Sequence, residues 1–171
     1  AVLILDSHGV ELMTAAARLN VAWLALLSNQ LDEAVADAEL ARESFRRQHR
    51  AWGLAWATLI DLEARLRLGA ITRGDVSRAS RSALALERAG MRAYAVDAYL
   101  IAGRVALASG RAADAPRFWS RSHELSHRLP LLVRLKGTLA AALCAQQQGH
   151  PDRMRSLSRS GLDDLAKHRA A

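Results

Sequence analysis

Four turn-forming residues recur along the chain at nearly constant spacing. They are Asn29, Gly69, Gly110 and Gly149, and successive members lie 40, 41 and 39 residues apart. Asparagine and glycine tolerate the left-handed backbone conformation that ends a helix and reverses the chain. Self-similarity at a fixed period of roughly 20–50 residues is the signature of repeat architectures. The spacing therefore predicts a chain of repeated helical hairpins.

Acidic residues and a proline mark where the second helix of each hairpin begins. Asp32, Asp75, Asp114 and Asp152 follow the four turns, and Pro151 immediately precedes the last of them. Negative charge is favourable at a helix start because it faces the positive end of the helix dipole. Proline is tolerated there because the first N–H groups of a helix have no partner within it.

Gly90 and Pro130 are predicted to join successive hairpins. Together with the turns, they divide the chain into eight predicted helices. These lie near residues 10–28, 31–48, 51–68, 75–89, 93–109, 111–128, 131–148 and 152–168.

Composition supports an all-α chain. Hydrophobic residues make up 51% of it and charged residues 24%, which is typical of a globular protein. Aromatic residues, at 5%, are scarce, and alanine and leucine dominate, which favours helix over strand. With 171 residues we expect one domain over 1–171. The absence of an initiator methionine predicts a piece of a longer protein.

The third repeat resembles a tetratricopeptide repeat. It carries Tyr99-Leu100-Ile101-Ala102-Gly103, then Gly110 and Ala115, and the first repeat matches with Ala34 and Ala41. The second and fourth repeats depart from the pattern, the second with two extra residues in its turn. The resemblance implies a right-handed α-solenoid of about four antiparallel helix pairs. Small residues at its crossings let two helix backbones approach closely.

A second resemblance concerns three stretches, 72–86, 102–115 and 161–170. They are similar to the helical region that precedes a caspase-like CHAT peptidase domain in actinobacterial proteins. Related helical regions also occur in large ATP-dependent transcription regulators. The resemblance implies that the catalytic histidine and cysteine of such a peptidase would lie beyond residue 171.

The tetratricopeptide-like pattern also implies a binding surface, because the first helix of each pair lines the concave side of such arrays. Aromatic and arginine side chains tend to dominate binding energy at interfaces. Carried over residue by residue, the implied surface comprises Asn20, Trp23, Leu27, Trp56, Glu63, Arg67, Asp97, Arg104, Lys136 and Gln146. The alternative is that Trp23 and Trp56 belong to the core.

Other large apolar residues are assigned to packing. Trp52 and Trp119 are expected to pack against neighbouring helices. Eight further residues are predicted to fill the layers between hairpins, namely Leu24, Leu26, Leu66, Leu68, Val105, Leu107, Leu139 and Leu143.

The strongest alternative to a scaffold is the segment from His123 to His127, which reads H-E-x-x-H. On a helix this pattern places two imidazoles one turn apart to hold zinc, with the glutamate as general base. However, Arg121 and Arg128 flank it, and their charges oppose a divalent cation. A third ligand at a familiar spacing is also missing. We therefore expect a solvated helix end, no metal, no cofactor and no enzyme activity, with a zinc-dependent hydrolase as the third alternative.

Cys144 lies in an alanine-rich helix and is expected to be a small buried apolar residue. As the only cysteine it excludes an internal disulfide framework and fits a reducing compartment. The opening segment 1–5 is too short for a signal peptide. No apolar run approaches the roughly 18 residues that cross a membrane. We therefore expect a cytoplasmic protein with no membrane partner.

The charge is uneven along the chain. Residues 1–64 hold 5 basic and 9 acidic groups, a net of −4, whereas residues 65–155 hold 16 and 6, a net of +10. This basic stretch is interpreted as a solvated outer surface, with a site for an acidic partner as the alternative. Specific nucleic-acid recognition is not predicted, because no motif that reads a groove is present.

These patterns predict a bacterial protein–protein interaction scaffold that binds a peptide, a partner protein or an effector domain of the same polypeptide. The alternative is a regulatory or sensor module that controls a caspase-like peptidase or transcription-regulator domain outside this chain.

Overall fold

The structure is a computed structural model that describes residues 2–169, with side-chain surroundings for residues 10–168. Every regular element within that range is helical. The α-helices are α1 (Val2–Leu27), α2 (Leu31–Arg47), α3 (Ala51–Arg67), α4 (Asp75–Arg88), α5 (Arg92–Ala108), α6 (Ala115–Ser126), α7 (Leu131–Gln147) and α8 (Pro151–Arg169). A short 3-10 turn, Ala112–Asp114, leads into α6. The predicted all-α class is therefore confirmed.

The predicted helix boundaries agree with the structure at most ends to within one or two residues. Two helices differ more. α1 begins at Val2 rather than near residue 10, so Gly9 lies inside the helix. The sixth helix was expected from residue 111, but α6 begins at Ala115 and Pro116 occupies its first turn. Because Pro116 lacks an N–H, it cannot donate to the Ala112 carbonyl oxygen, and the preceding turn is a separate 3-10 segment.

The predicted turn residues adopt the left-handed conformation. Positive φ angles occur at Asn29 (61°), His49 (52°), Gly69 (70°), Gly90 (74°), Gly110 (78°) and Gly149 (75°). His49 was not anticipated, although histidine, like asparagine and aspartate, adopts this conformation more often than most non-glycine residues. Pro130, at the remaining joint, is extended, with φ −53° and ψ 155°.

The helices pack in the order in which the chain runs. Each contacts the next one along the chain, and α1, α3, α5 and α7 also contact one another in sequence. Among the described helices, the even-numbered ones make no comparable contact with each other. The even helices are therefore held apart by the odd helices between them.

The core consists of two apolar clusters that share α3. One joins α1, α2 and α3 and contains Phe45 and Ile60, and the other extends from α3 to α7 and contains Leu86 and Trp119. Many of the fully buried residues in these clusters are alanines, among them Ala22, Ala34, Ala38, Ala41, Ala102 and Ala115. Small side chains at these positions let the helix axes approach closely.

Two glycines accept an aromatic ring from the neighbouring helix. Gly53 of α3 faces the Phe45 ring, and Gly103 of α5 faces the Trp119 ring. A Cβ atom at Gly53 would lie 2.5 Å from Phe45 Cδ1, closer than real Cβ atoms approach. Trp119 is buried and its Nε1 donates to the Leu100 carbonyl oxygen at 3.2 Å. The prediction that Trp119 is a packing residue is therefore confirmed.

Half of the leucines and valines assigned to the layers between hairpins are not buried. Leu26 and Val105 are buried, and Leu66 and Leu143 are half-buried against the core. The exposed members are Leu24, Leu68, Leu107 and Leu139. Leu24 faces away from α2 and α3, and Leu68 and Leu107 lie at or beside helix ends where no neighbour covers them. The periodicity identified the helices but not which side of each is covered.

One segment contradicts the expectation that no apolar run is long enough for a membrane span. Val10–Leu27 has 18 residues and a mean hydropathy of 1.4, so its length and composition would allow it to cross a membrane. It contains Glu11 and Arg18, which conceal it when only uninterrupted apolar runs are considered. In the structure it belongs to α1, whose Ala15, Leu19 and Ala22 are buried in the core.

A methyl group added at Gly103 should destabilise the protein. The new Cβ would lie 2.5 Å from Trp119 Cε2, so the ring must move, and overpacking of this kind costs about 1–3 kcal/mol. At Gly161, also inside a helix, a Cβ would lie at an ordinary 3.5 Å from Thr138 Cγ2. Gly161→Ala should therefore raise the free energy of unfolding by roughly 0.5–1 kcal/mol. Urea denaturation measures both, and equal effects of the two substitutions would contradict the predicted crossing.

Candidate functional site

The residues predicted to form a binding surface lie on the odd-numbered helices α1, α3, α5 and α7. We call the surface they share the odd-helix face. Side-chain contacts join seven of the ten: Trp23 contacts Trp56, Glu63 contacts Arg67 and Arg104, and Asp97 contacts Lys136. These contacts link α1 to α3, α3 to α5 and α5 to α7. The surface is therefore continuous from α1 to α7.

An aromatic row lies at one part of this face. The ring centroids of Trp23 and Trp56 are 5.7 Å apart, and those of Trp56 and Tyr94 are 4.7 Å apart in an edge-to-face arrangement. Trp23 is 39% exposed and Tyr94 is 44% exposed, whereas Trp56 is half-buried between them. The two outer rings thus present apolar surface to solvent while the middle ring holds them in place. Such ring pairs add stabilisation beyond the area they bury.

Glu63 is the centre of an ion-pair group on the same face. Its carboxylate is buried and accepts hydrogen bonds from Arg67 Nε at 3.2 Å and from Arg104 Nη1 at 2.7 Å. Arg67 also donates from Nη1 to the Leu26 carbonyl oxygen at 3.0 Å. These contacts tie α3 to α1 and to α5. The charges of the group are therefore largely committed to holding the helices together.

The remaining predicted residues lie along the same helices. Lys136 Nζ of α7 is 2.7 Å from Asp97 Oδ1 of α5, which links the last two odd helices. Asn20, Leu27 and Gln146 are exposed. Leu27, the last residue of α1, is 60% exposed and extends the apolar surface beside the aromatic row.

One groove was not predicted from the sequence. It is a groove of about 450 Å³ between α2 and α4, with α3 as its floor, and we call it the arginine groove. Its charged lining residues are all arginines, and the others are small, apolar or hydroxyl-bearing. The lining comprises Arg42, Arg46, Arg78 and Arg81 with Ala51, Leu54, Ala55, Thr58, Ser82 and Ala85.

Arg78 is fixed in the wall of this groove by two buried carboxylates. Its Nη2 lies 2.6 Å from Asp61 Oδ2 and its Nη1 lies 2.8 Å from Asp75 Oδ1. Burial pushes the pKa of Asp75 upward, but hydrogen bonds from Thr72 and Arg78 outweigh it and hold that pKa below its usual value. On the other side of Asp61, Arg65 Nε donates at 2.5 Å, and this bond raises the pKa of Arg65.

The corresponding gap between α4 and α6 is closed by side chains. Tyr99 of α5 donates its hydroxyl to Glu87 Oε2 at 2.7 Å, and Arg121 of α6 forms an ion pair with the same carboxylate. The hydrogen bond from Arg121 holds the pKa of Glu87 below its usual value. Burial, with the hydrogen bond to Glu87, raises the pKa of Tyr99 to about 12. The Tyr99 ring also stacks on Phe118 at 6.5 Å.

The H-E-x-x-H segment lies at the end of α6, and the helix stops at Ser126, one residue before His127. The two imidazole centroids are 4.5 Å apart. Among the described residues no group of three or more histidine, cysteine, aspartate or glutamate side chains is placed to hold a metal ion. His127 is exposed, as expected for a solvated helix end, but His123 is half-buried. Burial, and next the nearby His127, lower the pKa of His123.

Cys144 is buried, as predicted. His123 and Cys144 both line a cavity of about 200 Å³ between α6, α7 and α8. Cys144 Sγ lies 3.7 Å from Ser120 Oγ and from the Pro116 carbonyl oxygen. The separation of 21 positions along the chain concealed this proximity, because it depends on how α6 crosses α7.

Two signals in the sequence pointed to the residues that were missed. Tyr94 is the third residue of α5 and Trp56 the sixth of α3, so the two lie one helical turn apart in the repeat and on the same side. Within the groove, Arg42 and Arg46 stand four apart on α2, and Arg78 and Arg81 stand three apart on α4. Both spacings place two arginines on one helix face.

Tyr99 should make the protein sensitive to alkaline pH. Its pKa in the folded protein is about 12, against 10.0 for the ordinary side chain. A raised pKa contributes stability that is complete below pH 10 and is lost as the pH rises toward 12. The loss should reach roughly 1–2 kcal/mol. Urea denaturation across this range should show a shallower fall for Tyr99→Phe, whereas Tyr94→Phe should behave as the parent. Parallel curves for the parent and Tyr99→Phe would contradict the assignment.

The described part of the chain offers an odd-helix face with an aromatic row and, between α2 and α4, an arginine groove. Comparison with known proteins assigns no family, because no family model, no curated protein and no solved structure matches the chain.

Proposed function

We propose that this chain is a protein–protein interaction scaffold, built as a right-handed tetratricopeptide-like α-solenoid, and not an enzyme. Its odd-helix face would bind a peptide, a partner protein or an effector domain of the same polypeptide. The observation that carries the proposal is the exposed aromatic row formed by Trp23, Trp56 and Tyr94 on that face.

The contact pattern supports the solenoid. In such an array each hairpin contacts only its neighbours, and one helix of each pair forms an inner layer. Here each helix contacts the next, and the odd helices also contact one another. An inner layer of odd helices would be the concave side on which partners bind. The left-handed residues at Gly69, Gly110 and Gly149 provide the tight reversals that such hairpins require.

The chemistry of the odd-helix face favours an apolar anchor on the partner. Glu63 already has two arginine partners, and Asp97 already has Lys136. Breaking these contacts to bind an ionic ligand would leave a buried carboxylate without its partners, which is costly. Trp23 and Tyr94, in contrast, lose water and gain contacts when covered. Aromatic residues of this kind commonly provide most of the binding energy at protein interfaces.

Removal of the two tryptophans should abolish partner binding. Immobilised parent protein, the double variant Trp23→Ala/Trp56→Ala and the matched variant Trp52→Ala would be compared for recovery of the same partners from the source lysate. Trp52 is similarly exposed, at 37%, but packs on Phe45 at the joint of α2 and α3. Each partner that the parent recovers should bind the double variant at least about a hundredfold more weakly, since hot-spot aromatics contribute roughly 2–4 kcal/mol each.

Circular dichroism and thermal unfolding would establish that the double variant is folded. The proposal requires that Trp52→Ala keeps the partners that the double variant loses. A folded double variant that retains every partner would show that the aromatic row is not the binding surface.

A further inference from the structure

The spaces between even-numbered helices differ in a way that the repeat alone does not explain. Because α2 and α4 do not contact each other, and neither do α4 and α6 among the described helices, each pair leaves a gap over the odd helix between them. The gap over α5 is closed by Tyr99, Glu87 and Arg121. The gap over α3 is the arginine groove, with a volume of about 450 Å³.

The groove is open because α3 carries smaller residues than α5 at two matching positions that line it. α3 and α5 both have 17 residues, so Thr58 in α3 and Tyr99 in α5 each stand at the eighth position. Likewise Ala55 corresponds to Val96. Thr58 donates its hydroxyl to the Leu54 carbonyl oxygen at 2.7 Å, so this side chain is folded back onto its own helix. The floor of the groove is therefore low, apolar and without free polar groups at this position.

The charge of the groove comes entirely from arginine. Arg42 and Arg46 pair with Glu39 and Glu43 of their own helix, at positions where the glutamates are 60% and 46% exposed. Exposed pairs of this kind contribute about 0–1 kcal/mol, so both arginines can exchange their partners readily.

Arg81, on the opposite wall, is exposed and forms no ion pair with another residue in the described range. Arg78 beside it is held rigidly by Asp61 and Asp75. The two walls therefore offer three exchangeable guanidinium groups above an apolar floor.

We propose that the arginine groove is a second docking site, which binds an acidic amphipathic helix of a partner protein. The apolar face of that helix would cover Leu54 and Ala55, and its flanking carboxylates would meet Arg42 and Arg46 on one wall and Arg81 on the other. Arginine suits this role because its planar guanidinium can bind a carboxylate through two hydrogen bonds.

The shape of the groove favours a helix over a small carboxylate. The groove is open to solvent along the two helices that form its walls, whereas a small-molecule site usually encloses most of its ligand. The shorter wall, α4, has 14 residues and is about 21 Å long, which matches a helix of four turns. A helix that lies between two others and buries an apolar stripe is a common mode of peptide recognition.

This site is independent of the odd-helix face. On α3, Trp56 and Glu63 point to that face, while Ala55 and Thr58 line the groove. At 100° per residue the two sets lie on different sides of the helix. Failure of one proposal would therefore leave the other unaffected.

The test uses a fluorescent, acetylated and amidated helical peptide with leucines along one face and glutamates on both flanks. Its binding to the full chain would be followed by fluorescence anisotropy. Two further probes are the same peptide with glutamine in place of each glutamate and, as a competitor, dodecanoate. We expect the acidic peptide to bind and the glutamine peptide to bind at least about tenfold more weakly. We expect dodecanoate to compete poorly with the acidic peptide.

Two variants address the groove in different ways. Thr58→Tyr should fill the floor as Tyr99 does over α5, and Arg81→Glu should reverse the charge of one wall. Each should weaken binding about tenfold or more. Arg159→Glu, an exposed position on α8, makes the same charge change elsewhere and should leave binding near the parent value. The double variant Trp23→Ala/Trp56→Ala should also bind the peptide normally.

Three outcomes would overturn the proposal. One is parent-like binding by Arg81→Glu, which lies at an exposed position and should fold even if Thr58→Tyr does not. Another is equal weakening by Arg81→Glu and Arg159→Glu, which would indicate attraction to the net charge of the whole chain. The last is tight binding of dodecanoate without binding of the acidic peptide, which would make the groove a site for a small amphiphile.

Discussion

The close approach of helices at alanine and glycine is the constraint on which the rest of this structure depends. Ala34 and Ala115 are fully buried where hairpins cross, and Gly103 leaves room for the Trp119 ring. Each helix contacts the next one along the chain, and the odd helices also contact one another. In repeat proteins whose units contact only their neighbours, stability is approximately a sum of local interfaces. The fold therefore needs no single central core, and its surface is divided into repeating faces and gaps.

Local assembly also explains why the repeats differ in their surfaces. A gap between even helices is closed or left open by the side chain at one position of the odd helix, Tyr99 in one case and Thr58 in the other. Closing the gap over α5 also required Glu87 and Arg121. None of these residues belongs to the small-residue crossings. The repeat can therefore vary its gaps while keeping the interactions that hold the hairpins together.

The helices and their turns could be predicted from sequence because their causes are local. Gly69 and Gly110 stand where a left-handed residue must end a helix, and the structure places them so. Burial was predicted less well: Leu24 was assigned to a layer between hairpins but is 61% exposed. Periodicity reveals a helix, but the covered side depends on which helices lie next to it. The arginine groove was missed for the same reason, since it joins residues as far apart as 42 and 85.

Charged side chains differ in the same way: some hold helices together, and others are available to a partner. On the odd-helix face the buried Glu63 pairs with Arg67 and Arg104, so these charges link helices. The aromatic row therefore provides the apolar surface that a partner can cover. At the arginine groove the reverse holds, because only one of its four arginines, Arg78, is tied to buried carboxylates. A buried ion pair resists exchange, since separating it leaves an uncompensated charge, whereas an exposed pair yields to a competing carboxylate at little cost. The basic excess between residues 65 and 155 is thus not a uniform property of the surface. Positive charge is available to an acidic partner where an arginine lacks a buried counter-ion and lies beside uncovered apolar surface. The arginines of α2 and α4 meet both conditions above α3.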